Sequence, residues 1–190
     1  MPPSLNHIFR TLAIYVFCLF LCANIWAQVA AEEYDVYEAL LNEFYPDTGC
    51  CLAIDQKASG YSLNPHVIRK LSLGHELVAD AERLENDDSR FELRFRTKTQ
   101  IVLLSEEERK TVLIQPEDPA DDSAWDAFRK KYKSFSLETL SRVAFNQKHT
   151  QALVAYGSQY GWLAGEGHLY LLKKSNGSWK LSKKAATWIS

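Results

Sequence analysis

The sequence predicts an α+β fold, with an N-terminal helix and short helices packed on an antiparallel sheet that ends in a C-terminal meander. Three observations carry that expectation. Apolar residues recur at helical spacing in several segments of the first two thirds of the chain. From Leu140 onward the pattern changes to short strand-like runs separated by turn residues. An apolar and aromatic share of 46% is that of a folded chain rather than a disordered one.

The first segment reads as an export signal. Arg10 is the only strong positive charge ahead of the run TLAIYVFCLFLCANIWA, and no acid occurs before Glu32. A basic start, a short apolar stretch and small residues near a cut site define a secretory signal peptide. Residues 1–27 form that leader, with Ala27 as the expected cleavage residue and Ala31 as a second option. An uncleaved membrane anchor would need about 18 consecutive apolar residues, and Asn24 interrupts the run. A lipoprotein anchor would need small residues just before Cys18 or Cys22, where bulky ones stand. The expected location is therefore secreted or periplasmic, with no stable membrane span after cleavage.

Residues 28–190 remain, about 160 residues, enough for a single α+β domain. Removing the leader takes away one arginine and no acid, so the remainder is one unit more negative than the chain's −2. That balance argues against nucleic acid, whose binding rests on Lys and Arg neutralising phosphates. Of four cysteines only Cys50 and Cys51 survive processing. Neighbouring residues in a strand point to opposite faces, so they cannot staple distant segments, and no redox C-x-x-C spacing exists.

The elements follow in order. Glu33 to Tyr45 is a helix with Tyr34, Tyr37, Leu40, Leu41, Phe44 and Tyr45 inward and Glu33, Asp35, Glu38 and Asn42 outward. CCLAID, Cys50 to Asp55, is a short strand. Asn64-Pro65 starts a second helix, since Asn caps well and Pro at the first position sacrifices no hydrogen bond. Gly74 breaks it, and Leu77, Ala81 and Leu84 mark a third. The cleanest alternation lies in RFELRFRTKTQIVLL, where Phe91, Leu93, Phe95, Thr97, Thr99, Ile101 and Leu103 should face the core. Ser105 with Glu108 is a capping box, and Ser123 with Asp126 is a second helix start. The last helix carries Trp125, Phe128 and Tyr132 on one stripe. LSRVAF, TQALVAY, GHLYLLKK and SWKLSKK then form a meander of about four strands, the last two joined by Asn176-Gly177, the strongest short hairpin signal.

No constellation of catalytic residues emerges. His75-Glu76 lacks the second histidine of a zinc protease motif, and no structural-zinc spacing occurs among His66, His75, His149 and His168. Glu76 and Asp80 share a helical face as solvated charges. The acids Glu117, Asp118, Asp121, Asp122 and Asp126 lack the glycine of a calcium loop and serve a wet, helix-capping segment. Ser141, His168 and Glu166 can be written as a triad, yet no nucleophile elbow surrounds Ser141, which reads as a small core residue. Asn176-Gly177-Ser178 is formally a glycosylation acceptor. No cofactor is implied.

The candidate contact site is the glycine–aromatic stretch with Gly157, Gly161, Gly165 and Gly167, comprising Tyr156, Tyr160, Trp162, Glu166 and His168. Glycines between strands mark bends, bulges or close backbone approach. Aromatic faces beside a few polar groups hold small ligands and partners. The expected function is therefore non-enzymatic binding of a protein or small-molecule ligand.

The C-terminal pattern LSRVAFN (Leu140–Asn146), TQALV (Thr150–Val154), GEGHLYLLKK (Gly165–Lys174), NGSWK (Asn176–Lys180) and the final WIS resembles small exported proteins of unassigned activity. The resemblance implies a shared fold and export and supplies no catalytic residues. A first helix plus a late sheet is also similar to the NTF2-like cone fold, which implies, as the alternative, a ligand pocket between sheet and helices in a binding protein or enzyme. The middle of the chain departs from that topology.

Overall fold

The computed structural model describes residues 29–46, 49, 51–118 and 120–190. The expected leader and Cys50 lie outside the described residues. Helix α1 (Ala31–Phe44) buries Tyr34, Val36, Tyr37, Leu40 and Leu41. Glu33, expected on its wet face, is buried as well, because Arg142 meets it there. Strand β1 (Cys51–Asp55) follows, then α2 (Pro65–Leu71) and α3 (His75–Arg83). The Asn64 side chain caps α2 by accepting the Val67 N–H at 2.9 Å. Ser72, in the left-handed region at φ 56°, ends that helix, and Gly74 is the N-cap of the next. Leu77, Ala81 and Leu84 are buried as expected.

The segment with the cleanest alternation gives the largest correction. Only its end, β2 (Gln100–Leu104), is a strand. Residues 91–99 form an extended strap across α1 instead. The strap meets helix side chains rather than a strand: the Tyr34 hydroxyl accepts the Glu92 N–H (2.8 Å), the Glu38 carboxylate the Arg96 N–H (2.8 Å), and the Asn42 amide oxygen the Lys98 N–H (3.1 Å). Positions 34, 38 and 42 recur every four residues, one turn apart on a single face. Period-two alternation reports an extended chain with one side buried, and a helix can supply that side as well as a sheet can. Phe91 is buried and Phe95 partly so, whereas Leu93 is 72% exposed.

Helices α4 (Glu106–Val112) and α5 (Ser123–Tyr132) come next. The capping box is formed, Ser105 and Glu108 each accepting the other's backbone N–H at 3.2 Å. Ser123 is the first residue of α5 rather than its cap; Asp122 occupies the cap, and the Asp121 carboxylate accepts the Ser123 N–H (2.8 Å). LSRVAF is split into β3 (Leu137–Leu140) and β4 (Ala144–Phe145). The meander completes the chain with β5 (Gln151–Gly161), β6 (Ala164–Ser175) and β7 (Ser178–Ile189). Asn176 and Gly177 both have positive φ, 51° and 79°, as their hairpin turn requires.

These strands form one seven-stranded sheet in the order β2-β1-β3-β5-β6-β7, with β4 also beside β5. The fold is α+β with the expected meander. Its β2-β1-β3 end is parallel, so the sheet is mixed. On one face α1 and the strap cover Leu52, Ile54, Val154, Tyr170 and Leu172. On the other, α2 and α3 cover Leu153, Leu169 and Leu171, while α5 covers Ala53, Leu104 and Leu137. Among the described residues no helix is long and apolar enough to cross a membrane.

Candidate functional site

The glycines predicted to lie between strands lie within them. β5 runs to Gly161 and β6 starts at Ala164, leaving a tight turn at Trp162-Leu163. Gly157 and Gly167 are cross-strand partners, and Trp188 of β7 pairs with Gly167. A Cβ at Gly167 would come within 1.9 Å of Trp188 Nε1, one at Gly165 within 3.1 Å of Cη2 and Cζ3, and one at Gly157 within 3.4 Å of Cζ2. Contacts spread around the whole indole mean that its ring lies flat on a glycine floor. Close approach explains three of the four glycines.

Around this floor, one end of the sheet displays large apolar side chains. Leu163, at the β5–β6 turn, is 71% exposed, Ile189 77%, Trp188 44% and Phe135, ahead of β3, 69%. Phe135 stacks on Tyr160 with ring centroids 5.8 Å apart and carries the Arg129 guanidinium on its ring at 5.4 Å. Arg129 also donates to the Tyr160 carbonyl at 2.6 Å, tying α5 to this end.

The five residues singled out from sequence do not converge on one pocket. Tyr160 joins the aromatic end. Trp162 is half-buried, its Nε1–H donating to the Asp121 carbonyl (3.0 Å) and its ring edge-on to Trp125 at 6.0 Å. Glu166 is exposed opposite Ser158, and His168 lies beside the Tyr170 ring at 5.7 Å. Tyr156, expected at a surface loop, is buried, and its hydroxyl is 2.8 Å from that of Tyr45.

Beneath the end of α1 that tyrosine pair belongs to a polar cluster the sequence did not disclose. Glu138 of β3 is fully buried. Its Oε1 accepts from Ser136, Ser158 (3.2 Å) and Tyr45 (3.4 Å), while Oε2 has no hydrogen-bond partner among the described residues. Burial pushes the Glu138 carboxyl above its usual range against the opposing pull of these hydroxyls, and burial raises Tyr45 and Tyr156 too. β3 begins at Leu137, three residues ahead of the start read from sequence, and buries the Glu138 carboxylate beside Leu137 and Leu140.

An open cleft of about 610 Å³ lies between α1, α3 and β4. Its carboxylates are already employed: Glu33, Asp80 and Glu76 accept the N–H groups of Val143 (2.8 Å), Phe145 (2.9 Å) and Gln147 (3.1 Å). The Tyr61 hydroxyl accepts that of Ala144 (3.0 Å). Glu76 and Asp80, expected to be merely solvated, thus complete the outer edge of β4. Among the described residues no group of three or more His, Cys, Asp or Glu side chains could hold a metal ion. In comparison with known proteins, the chain matches no family model, no curated protein and no solved structure.

Proposed function

We propose that this is an exported binding domain that engages a partner through the aromatic end of its sheet. One observation carries the reading: Phe135, Leu163, Trp188 and Ile189 are each between 44% and 77% exposed, and the entry to β3, the β5–β6 turn and the end of β7 that bear them lie at the same end of the sheet. Exposed aromatic and aliphatic groups at one end of a sheet, with an arginine on one of the rings, are the composition of interaction hot spots. The glycine floor supports it further, since a ring held flat loses little freedom on binding. The polar concavities argue the other way for themselves, because their carboxylates hold backbone N–H groups.

A photo-crosslinking amino acid at Leu163, in the organism that makes the protein, tests this. The same residue at Asn176, at the far end of the sheet, is the control. A discrete adduct from position 163 that disappears on adding Phe135→Ala and Ile189→Ala is the expected result. No adduct, or the same adduct from both positions, rejects the surface.

A further inference from the structure

A second surface, at the other end of the sheet, carries charge the fold leaves uncompensated. From Gly167 to Ser190 the chain has the five lysines Lys173, Lys174, Lys180, Lys183 and Lys184 and no acid, in a protein whose formal charge is −2. Lys173 and Lys180 are direct cross-strand partners. Like charges placed opposite one another destabilise an antiparallel pair. Among the described residues neither forms an ion pair, nor does Lys184, whereas Lys174 reaches Glu32 at 3.4 Å.

Strand β7 is also an edge of the sheet over twelve residues. Its register with β6 shifts between Leu171 and Leu172, which pair with Lys183 and Leu181 and leave Ser182 as an extra residue. Without that bulge Lys180 and Lys183 would point to opposite faces; with it they share one. Lys183 leans over that face to donate to the Leu71 carbonyl at 3.2 Å, which brings the exposed Arg69 and Lys70 of α2 to the same side. Lysines guard edges against self-pairing, and two antiparallel copies of β7 would set lysine against lysine. The same charges favour an acidic strand.

We infer that the β7 edge accepts an extended acidic segment of a partner protein, added as a further antiparallel or parallel strand. Its backbone completes the unpaired groups of β7, and its carboxylates meet Lys180 and Lys183, relieving the Lys173–Lys180 repulsion. The lysine-bearing stretch of this edge, residues 178–184, lies at the opposite end of β7 from Trp188 and Ile189, so its failure would leave the reading of the aromatic end standing.

The probe is a short capped peptide of alternating valine and glutamate, titrated into the 15N-labelled protein. Its twin is N-methylated on alternate residues, which removes the edge-facing donors and keeps the charge. The expected result is slowed amide exchange along β7 with the first peptide only, and affinity about tenfold lower in Lys180→Glu and in Lys173→Glu. Each substitution also replaces a like-charge pair with an opposite one, so the midpoint of unfolding should rise by about 1–3 °C while binding falls. Lys98→Glu, on the strap, makes the same change in net charge and should leave binding intact. Equal binding of the N-methylated twin, equal weakening by Lys98→Glu, or no protection of β7 at millimolar peptide overturns the inference. Protection of β7 by phosphatidylglycerol vesicles and not by peptide would overturn it in favour of a lipid surface.

Discussion

Arg142 grips both carboxylate oxygens of Glu33 across 109 residues of sequence, with Nε at 3.0 and 2.9 Å and a terminal nitrogen at 2.6 Å. The same guanidinium reaches Asp87 at 3.1 Å and Ser89 at 2.6 Å, and Glu33 in turn accepts from Val143. One ion pair therefore joins α1, the turn after α3 and the break between β3 and β4.

Removing one partner leaves the other charge buried. Glu33→Ala or Arg142→Ala should lower unfolding stability by about 3–5 kcal/mol, measured by urea denaturation. The double replacement should cost less than the sum, because neither charge is then stranded. Strict additivity would show that the pair does not act as a unit.

The glycine floor makes a steric prediction. Gly167→Ala places a methyl group where the Trp188 indole now lies. The ring must lift, at a cost of about 1–3 kcal/mol, and become more accessible to acrylamide quenching. In a Trp188→Ala background the same change should cost clearly less. Equal costs in both backgrounds would mean that the ring is not held on that floor.

Glu138 sets a pH dependence. Its carboxyl is raised in the folded protein from the ordinary value of 4.5, so the native state binds the proton more tightly than the unfolded chain. The contribution is fully present below the unfolded pKa and is lost as pH rises through the folded one. Subtracting the stability curve of Glu138→Gln from that of the native protein should leave a difference that falls as pH rises above 4.5. A flat or rising difference would contradict the assignment.

The strap is testable through its first anchor. Tyr34→Phe keeps the ring and removes the acceptor of the Glu92 N–H, and should cost about 1 kcal/mol. Amide exchange at Glu92 should speed up while β5 and β6 keep their protection. Unchanged exchange at Glu92 would mean the helix does not hold the strap.

Local signals in the sequence reached far into this fold. Asn64-Pro65, the Ser105 capping box and Asn176-Gly177 each act within a few residues, and each stands where it was expected. Long-range relations were not legible. Nothing local distinguishes an extended chain on a helix from one on a sheet, so residues 91–99 were assigned to the wrong neighbour. The parallel pairing of β1 leaves no mark on five residues either. At the proposed contact surface, glycine spacing points to Tyr160 and its surroundings, whereas Phe135 ahead of β3 and Trp188 and Ile189 of β7 come from other segments that only folding brings to the same end of the sheet. Glu33 reads as a surface acid, and Glu138 carries no local signal at all, because their hydrogen-bonding partners lie on other elements.

The anchoring of α1 also fixes a schedule for folding. Its apolar stripe rests on Val154, Tyr170, Leu172 and Trp179, and its buried acid waits for Arg142. An emerging chain can wind this helix early against Leu52, Ile54 and the strap, but its seat is incomplete until β5, β6 and β7 have been synthesised. Full docking of α1 therefore waits for β7, a long-range contact that forms late in folding.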